Sequence, residues 1–282
     1  MARRLLQIFL YNEGVRIEWR SELFMLTVDL TPNLTGVTIS GDIEDLQQLV
    51  DAFHFIVADE QDKDYAYYAS MCIRVLGVCY DVRHASMGDR EATLVENGMN
   101  RDLMKFHKLV TAEHNVYYRC RVLLPEMMFV MLALNQLAVR RAIIVSKQKM
   151  GSISLRHPLA LWDEEISVIR MFQAQFAKAL RMALSEQSYV RWLKLMNDDI
   201  VSVSSMARQF LDVLNLDWLE WSREKRAKQL VKLADRLTRY HADPDYKEIL
   251  QVVMEGAREF GVHPSDMELE GFHYPDEETI IW

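Results

Sequence analysis

Hydrophobic and polar residues follow two different rhythms along this chain, and the rhythm changes near its middle. Short runs rich in β-branched residues occur in the first half, whereas apolar residues spaced three and four apart dominate the second. The first pattern is typical of strands and the second of helices. We therefore predict an α+β fold, in which a small antiparallel or mixed sheet is packed with helices in the N-terminal half and the C-terminal half is mostly helical.

Four segments are predicted to be strands of the sheet. Residues 24–29 and 36–40 are β-rich, and Thr31-Pro32-Asn33 between them is a turn signal that favours a hairpin or two adjacent strands. Residues 91–96 alternate weakly between polar and apolar, and residues 116–124 are rich in Val, Tyr and Leu.

Two helices are predicted between these strands. The first begins after Asp42, a residue type that caps helix N-termini. Its shared apolar face consists of Leu46, Leu49, Val50, Phe53 and Val57. The second covers residues 67–86, but its β-branched content leaves a buried strand as an alternative. Its apolar stripe consists of Cys72, Val75, Leu76, Cys79 and Val82.

The second half of the chain is predicted to be mostly helical. Pro125 suits the first turn of an apolar helix that runs to residue 147. Asp163 can cap a helix that runs to residue 184, and Asp217 is predicted to begin one that ends at Tyr240. Two shorter helices are expected over residues 190–196 and 206–214.

The sharpest helix boundaries lie near the end of the chain. Asp243 can cap a helix, Pro244 occupies its first position, and Gly261 follows its end. The tail over residues 267–274 is predicted to add an edge strand.

Composition and length are those of an ordinary globular protein. Half of the 282 residues are hydrophobic, and ten glycines and six prolines leave little room for long linkers. We predict an α+β part over residues 25–150 and a mainly helical part over residues 151–282, which together can form one compact domain.

The first 24 residues differ in kind from the rest. Trp19-Arg20-Ser21-Glu22 can be encoded by DNA that contains a purine-rich ribosome-binding sequence, and Met25 follows a few codons later. We predict that Met25 is the biological start and that residues 1–24 are a leader that is not native. A first strand over residues 5–11 is the alternative.

Charge and cysteine content favour a soluble cytoplasmic protein. A formal net charge of −8 argues against whole-surface attraction to nucleic acid or to an anionic membrane. The most apolar run, residues 127–134, is shorter than the ~20 residues that a membrane span needs. Cys72, Cys79 and Cys120 form no Cys-x-x-Cys pair, and we interpret them as buried thiols in a reducing compartment.

A polar cluster follows the apolar stripe of residues 67–86 and is the main candidate site. Its members are Tyr80, Asp81, Arg83, His84, Asp89, Arg90 and Glu91. On a helix, Tyr80, Asp81 and His84 would lie within reach of one another and could perform acid–base chemistry near neutral pH. Arg83 or Arg90 could hold an anionic group, and Asp89 and Glu91 could add charge. The commoner outcome for such clusters is structural, through helix capping and ion pairing.

Other candidate chemistry is weaker. A basic helix face, which could follow a phosphate backbone, consists of Lys225, Lys228, Lys232, Arg236 and Arg239. Such a stripe is more often the solvated side of an amphipathic helix. The eight histidines show no metal-ligand spacing and no nucleotide-binding loop occurs, so we predict neither a metal nor a cofactor. Tryptophans such as Trp218 and Trp221 would join helices or anchor a homo-oligomer.

Four phrases of the sequence resemble a known family. They are Met25-Leu-Thr-Val-Asp-Leu-Thr-Pro-Asn-Leu-Thr-Gly-Val-Thr-Ile-Ser-Gly-Asp42, Arg74-Val-Leu-Gly-Val-Cys-Tyr-Asp-Val-Arg-His-Ala85, Gly88-Asp-Arg-Glu91 and Tyr274-Pro-Asp-Glu277. They are similar to an uncharacterised bacterial family, a domain of unknown function, from Met25 onward. The resemblance implies a bacterial cytosolic protein and transfers no activity, cofactor or catalytic residue.

Three functional hypotheses follow. The first is a binding or interaction protein, and the second is a small hydrolase-type enzyme that uses Tyr80, Asp81 and His84. The third is local binding of nucleic acid through the basic helix face, which ranks last because of the acidic net charge.

Overall fold

The fold contains one sheet of four antiparallel strands with the order β1-β2-β4-β3. The computed structural model describes residues 26–147, 154–198, 201–262, 264, 267 and 272–282. The strands are β1 (Thr27–Leu30), β2 (Gly36–Gly41), β3 (Glu91–Glu96) and β4 (His114–Leu123). The predicted α+β class and the four strands predicted in the first half are confirmed, whereas the proposed leader lies outside the described residues.

Helices pack against the sheet and form most of the rest of the described chain. In chain order they are α1 (Ile43–Ile56), α2 (Tyr65–Ser86), α3 (Arg101–His107), α4 (Leu124–Ser146), α5 (Pro158–Leu161), α6 (Glu164–Ala183), α7 (Glu186–Met196), α8 (Arg208–Glu220), α9 (Arg223–Thr238) and α10 (Pro244–Phe260).

The pairing of the strands places alternate residues of the sheet in the core. Val37 and Ile39 of β2 lie opposite Val122 and Cys120 of β4, and all four are buried. This alternation is the expected result when one face of a sheet is covered by helices. Helix α2 packs on β4 at that face, and α6 packs on β1.

Local signals explain most of the helix boundaries. Asp42 and Asp45 form a reciprocal capping box at the start of α1, with hydrogen bonds of 2.9 and 3.2 Å. Asp243 caps α10, and Gly261 ends it with a positive φ of 65°. These boundaries agree with the predictions. Residues 67–86 are helical, so the alternative of a buried strand in this segment is excluded.

Two boundaries in the second half differ from the predictions. Asp217 was predicted to begin a helix but lies inside α8, and the next helix begins after Ser222. The Ser222 hydroxyl accepts a hydrogen bond from the backbone N–H of Lys225, while Trp221 is extended and separates the two helices. In the tail, Met267 and residues 272–274 are not in a strand, and the other residues of the predicted edge strand are outside the described set.

Helix α4 is the centre of the molecule. It packs against α1, α2, α6, α8 and α9, and a single cluster of buried side chains includes residues of both halves of the chain. Within the described residues α4 is the one helix long and apolar enough to cross a membrane, but 61% of its most apolar window is buried in the protein. Core helices of globular proteins have the same property.

A buried arginine joins the second half of the chain to the loop between β1 and β2. Arg226 of α9 is 6% exposed, and its guanidinium donates hydrogen bonds to the Trp218 carbonyl (2.8 Å) and to Thr35 Oγ1 (2.6 Å). Trp218 Nε1 in turn donates to the carbonyl of Leu34 (2.8 Å). These bonds satisfy buried polar groups and fix α8 and α9 against the sheet.

Candidate functional site

A large cavity in the described part of the chain lies between α2, α4, α8 and the C-terminal segment 272–282. Its volume is about 550 Å³. The side chains that line it include the polar residues Arg74, Asp81, Glu126, Arg208, Gln209, Asp212 and Tyr274. Ile73, Val78, Val122 and Phe272 provide apolar wall. Such a mixture of apolar surface and a few convergent polar groups is typical of small-molecule sites.

Helix α2 presents one face to the core and another to this cavity. Its buried stripe includes Cys72, Val75, Cys79 and Val82. Arg74, Gly77 and Asp81 follow at spacings of three and four residues, and therefore share a different face of the helix. The core stripe holds α2 rigidly against the sheet, so the groups on the cavity face have fixed positions.

Arg74 lies at the centre of a charged network in the cavity wall. Its guanidinium contacts Glu126 of α4 (Nη1–Oε2, 3.2 Å) and Asp212 of α8 (Nη2–Oδ1, 2.8 Å). It also donates a hydrogen bond to the backbone carbonyl of Arg208 (3.0 Å). One cation therefore connects three helices through short bonds, with both carboxylates less than one-fifth exposed.

Asn215 and Tyr274 extend this network to the C-terminal segment. Asn215 Nδ2 donates to Glu126 Oε2 (2.9 Å) and to the Tyr274 hydroxyl (3.2 Å), and that hydroxyl donates to Asp212 Oδ1 (2.8 Å). The segment is also held at its far end, where Asn33 Nδ2 donates to the carbonyl of Trp282 (2.7 Å). The C-terminal segment is thus a fixed wall of the cavity.

The network changes the acid–base properties of two groups. Burial raises the pKa of Glu126 above its usual value, although Arg74 and Asn215 favour its ionised form. Burial, together with the neighbouring Asp212 carboxylate, raises the pKa of the Tyr274 phenol. Tyr274 is therefore a hydrogen-bond donor at neutral pH, and ionisation of Glu126 depends on the charge around it.

Gly77 leaves part of the cavity wall open. It is in the middle of the 22-residue helix α2, and a Cβ atom placed on it would have no neighbour within 4 Å. A glycine inside a helix is less stable than an alanine by about 1 kcal/mol. Since packing does not require a glycine here, its effect is to keep the space beside the Arg74 network unfilled.

The structure keeps Tyr80 and His84 of the predicted acid–base cluster in contact but gives Asp81 a different partner. Asp81 faces the cavity and pairs with Arg90 (Oδ1–Nη2, 3.0 Å), so it does not orient His84. His84 Nδ1 instead contacts Asp89 Oδ2 at 3.0 Å, while the Tyr80 ring lies 4.1 Å from the His84 ring. The predicted Asp81–His84 pair is wrong because each residue has a better placed partner in the turn after α2. A histidine–carboxylate pair does form, but with Asp89.

The remaining members of that cluster also have local partners. The Arg83 guanidinium lies over the Tyr80 ring at 5.7 Å, and Glu91 pairs with Arg121 across the sheet at 2.5 Å. Tyr80 is 51% exposed. None of these three side chains is among those that line the 550 Å³ cavity, and their predicted functional roles stay predictions.

The basic helix face of α9 is partly neutralised. Arg236 contacts Asp243 (2.7 Å) and Asp245 (2.5 Å), and Arg239 contacts Asp235 at 3.4 Å. Lys225, Lys228 and Lys232 are exposed, and Arg239 is exposed as well, with 68% of its side chain accessible. Lys225 Nζ lies 4.1 Å from the centre of the Trp221 ring. The face therefore presents less net positive charge than its sequence indicates.

Cysteine and metal chemistry receive no support from the geometry. Cys72, Cys79 and Cys120 are buried free thiols, as predicted, and burial raises the pKa of all three, that of Cys79 to about 11. Across the residues that the structure describes, no group of three or more His, Cys, Asp or Glu side chains could hold a metal ion.

Comparison with known proteins identifies the family. A family model for a domain of unknown function, DUF6904, matches residues 26–282. The chain belongs to this family. No curated protein and no solved structure matches the chain. The resemblance to a domain of unknown function, predicted from the four sequence phrases, is thereby confirmed.

Sequence reasoning found Asp81 but missed the other charged and polar residues in the cavity wall of this DUF6904 domain. Arg74 and Glu126 each interrupt an apolar run, and Asp212 and Asn215 do so in α8. A charged residue inside an apolar helical run is a signal for a buried ion pair, because burial of a lone charge is unfavourable. That signal was available in the sequence, although it does not say which charges pair.

Proposed function

We propose that this chain is a small-molecule-binding protein and that its ligand occupies the cavity beside Arg74. The observation that carries the proposal is a cavity of about 550 Å³ with a partly buried network of Arg74, Glu126 and Asp212 in its wall. Known ligand sites have volumes of about 300–1,000 Å³ and combine apolar walls with a few polar groups. The open space at Gly77 supports the proposal.

A variant that fills the cavity tests this proposal. Gly77→Leu would place a side chain in the open space on the cavity face of α2. Ala66→Leu is the matched control, since Ala66 is an exposed residue of the same helix that does not line the cavity. Binding of a fragment library is measured by ligand-observed NMR with the natural chain and both variants, after circular dichroism has confirmed that each is folded.

The expected result is a set of fragments that bind the natural chain and Ala66→Leu but not Gly77→Leu. If every fragment that binds the natural chain also binds Gly77→Leu, the ligand site is elsewhere. An absence of binding fragments would also contradict the proposal, because preformed ligand cavities readily accept small fragments.

An acid–base enzyme is the second candidate function. The observation in its favour is the raised pKa of Glu126, since a buried carboxylic acid can donate a proton to a bound substrate. The original hydrolase hypothesis is centred instead on Tyr80, Asp81 and His84. Activity on nitrophenyl esters, phosphates and glycosides decides between them. Loss of activity in Glu126→Gln would indicate that the active site is the cavity, and loss of activity in His84→Asn would indicate that it is the polar cluster. No activity in the natural chain would contradict both hypotheses.

The other expectations are also proposals. We infer that the protein is bacterial, soluble and cytoplasmic, and that two or more copies associate. Trp192 and Trp218 are buried, so they belong to the core, whereas Trp162 is 89% exposed. Light scattering after gel filtration measures the oligomeric state. Nucleic-acid binding through the basic helix face, which consists of Lys225, Lys228, Lys232, Arg236 and Arg239, is tested by retention on heparin at low salt.

A further inference from the structure

The charges in the cavity wall do not balance within the network around Arg74. Arg74 is a single cation between two carboxylates, those of Glu126 and Asp212. The third carboxylate in the wall, Asp81, has its own partner in Arg90. The network of Arg74, Glu126 and Asp212 therefore carries an excess negative charge when both acids are ionised. Arg208 also lines the cavity, so the excess negative charge belongs to the Arg74 network alone and not to the cavity wall as a whole.

Each carboxylate of the network also retains a hydrogen-bond acceptor. Among the described residues, the hydrogen bonds to Glu126 all end on Oε2, from Arg74 and Asn215. Those to Asp212 all end on Oδ1, from Arg74 and Tyr274. Oε1 of Glu126 and Oδ2 of Asp212 can therefore accept from a donor in the cavity. A carboxylate accepts at both oxygens, and bonds to a charged donor are the strongest.

The walls beside these oxygens suit an apolar or aromatic group. Ile73 and Val122 provide aliphatic surface, and Phe272 and Tyr274 provide aromatic rings. An alkyl or aryl body fits such surface, and a cation beside an aromatic ring is favoured further. The two features together describe a ligand with an apolar body and a positively charged end.

We infer that the ligand of this cavity is an amine or guanidinium compound whose cationic nitrogen binds between Glu126 and Asp212. The inference rests on the proposed small-molecule site and adds the chemical class of its ligand. Arg208 also lines the cavity, so an anionic ligand is the outcome that the experiment must distinguish.

Three compounds with one shared body test the inference. The probes are 2-phenylethylamine, 2-phenylethanol and phenylacetate, which are respectively cationic, neutral and anionic at neutral pH. Their affinities are measured by calorimetry or ligand-observed NMR with the natural chain and with Glu126→Gln and Asp212→Asn. Glu186→Gln is the matched control, because Glu186 is 67% exposed on α7 and is not among the residues that line the cavity.

The amine is expected to bind the natural chain and the Glu186→Gln control at least about tenfold more tightly than the alcohol, as for a hydrogen bond to a charged group. This preference should disappear in Glu126→Gln and weaken in Asp212→Asn. Because the preference is a ratio of two affinities for one protein, partial destabilisation of a variant does not mimic its loss.

Other outcomes overturn the inference in distinguishable ways. Tightest binding of phenylacetate, or equal binding of all three probes, would contradict the cationic class while leaving the cavity as a ligand site. Failure of all three probes to bind would also contradict the cationic class. The cavity itself is then judged by the separate fragment screen with Gly77→Leu, so the two proposals fail independently.

Discussion

Removal of the Arg74 side chain should destabilise the protein in a manner that depends on pH. Arg74→Ala leaves Glu126 and Asp212 without their shared cation and deprives the Arg208 carbonyl of a donor. Breaking a buried ion pair at one partner typically costs ~3–5 kcal/mol. Because these side chains keep 15–19% exposure, we expect the lower end, about 3 kcal/mol near pH 8.

The pH dependence follows from Glu126. Burial raises the pKa of Glu126 in the folded protein above its pKa in the unfolded chain. Protonation of Glu126 therefore stabilises the fold fully at pH values below the pKa of the unfolded chain. This stabilisation is lost as the pH rises through the pKa of the folded protein. Loss of Arg74 removes a charge that favours the ionised carboxylate, and so raises the folded pKa further. The difference in free energy of unfolding between the natural chain and Arg74→Ala should therefore be largest in alkali and should narrow toward the usual Glu pKa of 4.5.

Urea unfolding followed by circular dichroism at several pH values measures this difference. A thermal midpoint lowered by about 6–12 °C near pH 8 corresponds to the expected loss. The control is Arg181→Ala, because the pair of Arg181 with Glu186 is exposed and should contribute at most ~1 kcal/mol. The double variant Arg74→Ala/Glu126→Gln should regain about 1–2 kcal/mol, since glutamine removes an uncompensated charge.

A different result would refute the reasoning. If Arg74→Ala were no less stable than Arg181→Ala, the network would not be a buried ion cluster. If its loss of stability were the same at pH 5 and pH 8, Glu126 would not be the group that titrates. Either outcome would remove the electrostatic basis of the candidate site.

Three further predictions concern the helices and the thiols. Gly77→Ala should raise the thermal midpoint by about 1–4 °C, because alanine favours the helix and its methyl group meets open space; a lower midpoint would mean that the space is occupied. Ser222→Ala should lower the free energy of unfolding by ~1 kcal/mol through loss of the α9 cap, measured by urea denaturation, whereas no change would indicate that Lys225 N–H has another acceptor. A thiol reagent such as Ellman's compound should react with the folded protein far more slowly than with the unfolded one, because burial raises the pKa of Cys72, Cys79 and Cys120; rapid reaction of the folded protein would contradict that burial.

The fold could be predicted where local signals decide it. Strong caps at Asp42, Asp163 and Asp243 marked helix starts correctly, because a cap acts within its own first turn. Asp217 failed as a start because it lies one turn before the end of α8, and Ser222 performs the capping instead. Helix α3 was not predicted, because it is one of the shortest helices and buries no residue, so it has no apolar stripe.

The candidate site could not be predicted in the same way because it is assembled from distant parts of the chain. Arg74 lies 52 residues from Glu126 and 138 residues from Asp212. Spacing rules for helices detect neighbours three and four residues apart, such as Asp81 and His84. In the structure Asp81 and His84 do not pair with each other. Asp81 pairs with Arg90 and His84 with Asp89, both from the turn that follows the helix.

A crystal structure of the chain grown with 2-phenylethylamine, or with the strongest fragment from the screen, tests the central claim most directly. We predict density for the compound beside Gly77, with its nitrogen within hydrogen-bond distance of Glu126 or Asp212 and its body against Phe272. Density at another place on the protein, with the space beside Gly77 filled by the chain's own side chains, would contradict the claim.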